Sequence, residues 1–167
     1  MIDDQLRGAA VKVLDCCRVR RLTVATAESC TGGLVAASLT EVPGSSEVID
    51  RGFIPYSNAA KQAMLGVPHD VLEEHGAVSK ATAEAMARGA IKQSRADLAV
   101  AVTGVAGPAG GSADKPVGLV HFAVAARDGR LLHCEQRFGE IGRSAVRRQS
   151  VLMALELLRT LAVGDQT

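Results

Sequence analysis

Aromatic residues are almost missing from this chain: there is no Trp, one Tyr and three Phe among 167 residues. Its core must therefore be Val, Leu, Ile and Ala, and stacking platforms for single-stranded nucleic acid are not expected. An excess of charge is missing too. The formal net charge is +1, which gives no electrostatic drive toward nucleic acid or an anionic membrane. No apolar run approaches the roughly 20 residues of a membrane span, so no membrane partner is expected. The N-terminus, Met1-Ile2-Asp3-Asp4, lacks the basic segment of a secretory signal. The cysteines (Cys16, Cys17, Cys30, Cys134) show no Cys-x-x-Cys spacing, and His69, His75, His121 and His133 show no metal-ligand spacing. Reduced thiols in a cytoplasmic protein are expected, with no metal and no cofactor. Repeats, low-complexity runs and internal linkers are absent.

What is present suits a single domain over residues 1–167: hydrophobic content is 47%, enough for a sizeable core without staples. Asp3 or Asp4 can cap a first helix that runs to about Arg20, with an apolar face from Ile2 to Cys17. A strand is predicted over Leu22 to Ala27, then a helix from Leu34 that ends before Pro43-Gly44. A short strand is placed at Gly52 to Tyr56, and Pro55 puts it at an edge or ends it. Ser57 or Asn58 caps a helix to about Leu65, a turn or two follows over Asp70 to His75, and Ser79 caps a longer helix over Lys80 to Ser94. Asp97 to Val102 reads as a second buried strand. Val117 to Ala126 and Arg130 to Phe138 form a hairpin, and Ser144 to about Leu161 a last helix. This succession predicts an α/β fold, a three-layer α/β/α sandwich with a mixed, mostly parallel sheet.

The stretch that organises the rest is Thr26-Ala27-Glu28-Ser29-Cys30-Thr31-Gly32-Gly33. A buried strand runs into a tight turn and a helix, with Ser29 and Thr31 where turn meets helix. Gly32 and Gly33 let a ligand approach the backbone. A hydroxyl beside free backbone amides can be a nucleophile next to its oxyanion hole. The plain alternative is that Ser29 or Thr31 only caps the helix. Glu28 can orient Ser29 or Lys61, or bind the turn's amides. Cys30 is a rival nucleophile or a packed thiol.

If the strands ending at Ala27, Tyr56 and Val102 are parallel, their C-terminal ends share the sheet edge where open α/β sheets bind ligands. That edge collects Ser29, Tyr56, Asn58, Lys61, Thr103 and the glycine-rich loop from Gly104 to Gly111. The hairpin returns Gly139 to Arg143 to the same edge. Lys61 sits in the first turn of its helix, after an Asn58 cap, where the dipole disfavours a cation, and burial would lower its pKa further. A neutral lysine near Ser29 is a general base; otherwise Lys61 is a solvated surface residue. The Gly104–Gly111 loop is neither a P-loop nor GxGxxG, and is either a cradle for a phosphate or ribose or a plain crossover.

Several of these motifs resemble the CinA C-terminal domain family: Ala27-Glu28-Ser29-Cys30-Thr31-Gly32-Gly33, Gly52-Phe53 with Tyr56-Ser57-Asn58 and Lys61, His75-Gly76-Ala77-Val78-Ser79, Val102-Thr103-Gly104 with Ala106-Gly107-Pro108, and Lys115-Pro116-Val117-Gly118. The resemblance spans about Leu6 to Leu161, as in the family's stand-alone form. Pro55 stands where a Thr is more usual, and Ala109 where a Gly is. The resemblance implies hydrolysis of the carboxamide of nicotinamide mononucleotide (NMN), giving nicotinate mononucleotide and ammonia. It implies catalytic roles for Ser29, Lys61 and Tyr56, with Tyr56 hydrogen-bonded between the other two. Backbone amides around Cys30, Thr31, Gly32 and Gly33 would hold the oxyanion. Asn58, Thr103, Gly104 and Arg143 would bind substrate, Arg143 at the phosphate, with Arg147 and Arg148 as rival arginines. A homo-oligomer is expected. The alternatives are a module that binds a pyridine nucleotide without turnover, and an interaction protein of DNA uptake or repair.

Overall fold

Asp3 accepts a hydrogen bond from the Leu6 N–H and so opens α1 (Asp4–Arg20), whose Leu6, Ala10, Val13, Leu14 and Cys17 are buried. The structure, a computed structural model, describes residues 2–164, so Met1 lies outside the described residues. There follow β1 (Val24–Glu28), α2 (Leu34–Thr40), a 3-10 turn (Ser45–Glu47), β2 (Ile49–Phe53), α3 (Asn58–Leu65), α4 (His69–His75), α5 (Lys80–Lys92), β3 (Leu98–Gly104), β4 (Leu119–Ala126), β5 (Leu131–Arg137) and α6 (Arg143–Val163).

The five strands form one sheet in the order β2-β1-β3-β4-β5. β1 pairs parallel with both β2 and β3, while β4 runs antiparallel between β3 and β5. Only β4 opposes the common direction, so the sheet is mixed and mostly parallel. The C-terminal ends of β1 and β3 are level, with Glu28 opposite Val102. β4 starts at that edge, with Val120 opposite Gly104, and β5 ends there, with Arg137 opposite Leu119. The edge therefore gathers segments that are far apart in sequence.

The faces of the sheet differ in grain. One packs α1, α2 and α6 through Val, Leu and Phe, among them Val100, Val102, Phe122, Val124, Leu155 and Leu158. The other packs α5, with α3 and α4 upon it, largely through alanine: Ala25, Ala27, Ala83, Ala87, Ala90, Ala99, Ala101, Ala123 and Ala125. Small side chains let backbones approach closely. At Gly89 of α5 an added Cβ would stand 2.1 Å from the Leu65 carbonyl oxygen of α3.

Three expectations shift. The edge strand is Ile49–Phe53 rather than Gly52 to Tyr56. Asp50, Arg51 and Gly52 are exposed, and an exposed edge shows no apolar alternation to mark its register. The helix after Ser29 begins at Leu34 as expected, but its N-cap is Gly33 at φ 97 and neither Ser29 nor Thr31. Ser57, not Asn58, caps α3: its hydroxyl accepts from the Ala60 N–H at 3.0 Å.

Candidate active site

Ser29 follows β1 directly, and its N–H donates to the Val102 carbonyl at 2.9 Å. The neighbouring strand thus fixes the serine backbone. Glu28, fully buried, turns its carboxylate away from Ser29 and toward α2. It accepts from the N–H groups of Gly33 (3.2 Å), Val35 (2.9 Å) and Ala36 (2.9 Å). These are first-turn donors that have no partner within a helix. Gly32 donates its N–H to the Ser29 carbonyl at 3.0 Å. The N–H groups of Cys30 and Thr31 have no protein acceptor among the described residues.

Lys61 lies in the first turn of α3 and is 1% exposed. Its Nζ is 3.2 Å from Ser29 Oγ and 3.1 Å from the Pro55 carbonyl oxygen. Burial pushes the lysine below its ordinary pKa, and only the nearby Cys30 thiol acts in the other direction. Cys30 itself is raised to about 12, mainly by burial. It therefore stays a neutral thiol, a poor nucleophile and a poor counter-ion for Lys61.

Ser29 and Lys61 open into a cleft of about 290 Å³ at the sheet edge. Its walls include Cys30, Tyr56, Asn58, Thr103, Gly104, Gly107 and Arg143, and none of its lining residues is acidic. The Thr103 hydroxyl donates to the Ala77 carbonyl at 2.7 Å, which draws Ala77 and Val78 into the wall. Arg143, the first residue of α6, donates to the Gly107 carbonyl at 2.9 Å and to the Tyr56 hydroxyl at 3.1 Å. It braces three segments at the mouth. A buried hydroxyl beside a buried, unpaired amine, open to a small cleft, suits nucleophilic attack with the amine as base. Among the described residues no group of three or more His, Cys, Asp or Glu side chains could hold a metal ion.

A family model described as the CinA C-terminal domain matches residues 7–162. The chain belongs to this family. Over 158 residues it is 47% identical to a protein named nicotinamide-nucleotide amidohydrolase PncC from Escherichia coli, covering 95% of each chain. It is 55% identical to a CinA-like protein from Synechococcus, covering 94% of this chain but only 37% of that longer relative. Among solved structures, the competence/damage inducible protein CihA from Agrobacterium tumefaciens superposes with a TM-score of 0.94 at 52% identity, covering 99% of each chain. The likeness therefore reaches the CinA fold as a whole, and the α/β architecture is that of the family.

Within this CinA domain the sequence expectations sort by position. The structure brings Ser29, Cys30, Tyr56, Asn58, Lys61, Thr103, Gly104 and Arg143 to one cleft. Thr31, Gly32 and Gly33 do not line it. Thr31 is buried and the amides of both glycines are engaged behind the turn, because Glu28 and the Ser29 carbonyl take them. Tyr56 does not bridge Ser29 and Lys61: those two meet directly, and the phenol lies against Arg143 instead. Gly104 serves packing, since a Cβ there would meet the Leu119 carbonyl at 2.7 Å. Of the rival arginines, Arg147 reaches under the turn to the Thr31 carbonyl at 3.0 Å, and Arg148 is held by Asp3 and Gln5. The Pro55 carbonyl, Ala77 and Val78 were not among the site residues expected from sequence, although Ala77 and Val78 lie in a motif that carries the family resemblance. Pro55 and Ala77 act through main-chain carbonyls, which side-chain chemistry does not announce.

Proposed function

We propose that this domain hydrolyses the carboxamide of NMN to nicotinate mononucleotide and ammonia, with Ser29 as nucleophile and Lys61 as general base. The observation that carries this is the buried Lys61 amine 3.2 Å from Ser29 Oγ in a cleft without a carboxylate. The Pro55 carbonyl takes one N–H of the neutral amine, leaving its lone pair for the serine proton. Ser29 Oγ attacks the carboxamide carbon as Lys61 takes that proton. The Cys30 N–H, which has no protein acceptor among the described residues, holds the oxyanion. Lys61 then returns the proton to the departing nitrogen, the C–N bond breaks, and ammonia leaves. Water attacks the nicotinoyl ester, Lys61 again serving as base, and Ser29 is released. Arg143 at the mouth binds the 5′-phosphate, which places the reacting end.

The relatives named amidohydrolase support the reaction, and the Ser29–Lys61 geometry supports the mechanism. The direct test is ammonia release from NMN by the purified protein and by Ser29→Ala. We expect a loss of about 10³-fold or more, with circular dichroism unchanged. Activity within tenfold of wild type would move the nucleophile to Cys30 or to water.

A further inference from the structure

Tyr56 is the chain's one tyrosine, and it stands 59% exposed on the cleft wall. Nothing in the core needs it there. The segment around it is pinned at both ends. Its N–H donates to the Ile54 carbonyl at 2.9 Å, and the carbonyl just before it, that of Pro55, is 3.1 Å from Lys61 Nζ. Its hydroxyl accepts from Arg143 at 3.1 Å. Pro55 and Tyr56 together therefore span the interval from the Lys61 amine to the guanidinium. A substrate with its carboxamide at Ser29 and its phosphate at Arg143 must cross the same interval.

The substrate's ring is a cation, an N-substituted pyridinium. It enters a cleft lined by Lys61 and Arg143 and by no acidic residue; Glu140 lines a neighbouring hollow instead. A carboxylate in the cleft would attract that ring but would also favour protonated Lys61 and disable the base. An aromatic face attracts a cation through its quadrupole and carries no such formal charge. Tyr56 supplies the one aromatic face among the cleft-lining residues. We propose that Tyr56 is a specificity-determining residue, its ring holding a cationic N-substituted pyridinium in preference to a neutral ring. The proposal rests on the carboxamide-hydrolase reading of the same site.

The test uses the Ser29→Ala protein, which leaves the ligand intact, and titration calorimetry with two ligands. One is NMN; the other is its reduced form, with the same carboxamide, ribose and phosphate but an uncharged dihydropyridine ring. Tyr56→Leu in that background should weaken NMN binding about tenfold and the reduced form less than threefold. Tyr56→Phe, which keeps the ring and removes the hydroxyl, should retain the preference for the cation. Equal weakening of both ligands by Tyr56→Leu, or loss of the preference in Tyr56→Phe, overturns the assignment and leaves the hydrolase reading standing. Failure of the Ser29→Ala parent to bind NMN at all overturns both.

Discussion

Glu28 and Lys61 are both buried ionisable side chains at the same end of the sheet, and the fold treats them in opposite ways. Glu28 receives three backbone N–H groups at the start of α2, which stabilise its charge where it is. Lys61 receives no counter-charge, only a hydroxyl and a carbonyl. The acid is a structural cap; the amine is left free to hold or release a proton. A Glu28 carboxylate turned the other way would favour protonated Lys61. Directing it into a helix start is what lets a carboxylate and the proposed base share one corner.

The comparison breaks most sharply at Lys61. Lys61→Met should abolish ammonia release by about 10³-fold or more and remove the acid limb of the pH profile with it. Wild-type activity should fall as pH drops through the lowered lysine pKa, because the base must be neutral. The stability effect runs in the same direction. The folded pKa lies below the unfolded one, so the unfolded chain binds more protons between the two values, and folding stability is lost as pH falls through that window. Thermal melts should therefore show Lys61→Met as stable as wild type or more so, with the gain larger at neutral than at strongly alkaline pH. A destabilised Lys61→Met protein would mean that the amine holds the fold together as Glu28 does.

Glu28→Ala is the counterpart. It strands three donors that only partly find water, and should lower unfolding stability by about 3 kcal/mol, read from urea denaturation. Glu28→Gln, which keeps an acceptor but loses the charge, should cost about half of that. If Glu28→Ala unfolds at the wild-type midpoint but loses its activity and changes its pH profile, the carboxylate belongs to the chemistry, and the contrast with Lys61 fails.

Arg143→Ala gives the smallest of these effects on the reaction. Loss of a charge-assisted phosphate contact of about 2–3 kcal/mol lowers kcat/KM for NMN by about 10²-fold. Nicotinamide riboside, which has no phosphate, should be affected far less. An equal loss on the two substrates would assign Arg143 to the brace between Tyr56 and Gly107 rather than to the phosphate.

What could be read from the sequence follows from how local its cause is. The turn from Thr26 to Gly33 announces itself by a buried β-branched strand, hydroxyls and paired glycines. The meeting of Ser29 with Lys61 needed only the assumption that β1 and the strands beside it are parallel, which the register bears out. The edge strand was placed three residues late because Asp50, Arg51 and Gly52 face solvent and leave no pattern. Glu28 kept three readings open, since a carboxylate beside a turn does not show which donors it will find. Tyr56 was assigned to the wrong neighbours because its real partner, Arg143, lies 87 residues away. Arg147 and Arg143 share a helix and a residue type, and only the packing of α6 decides which one reaches the cleft.

The position of Arg143 at the head of the last helix also bears on how the protein is made. The ribosome delivers Ser29 and Lys61 early, but Val102, which fixes the serine backbone, comes much later, and the guanidinium that braces the cleft mouth comes later still. A nascent chain therefore carries its proposed nucleophile and base well before it can aim them. The wall closes only as the final helix emerges, so the proposed amide-cleaving competence would arrive with this helix rather than in stages along the growing polypeptide.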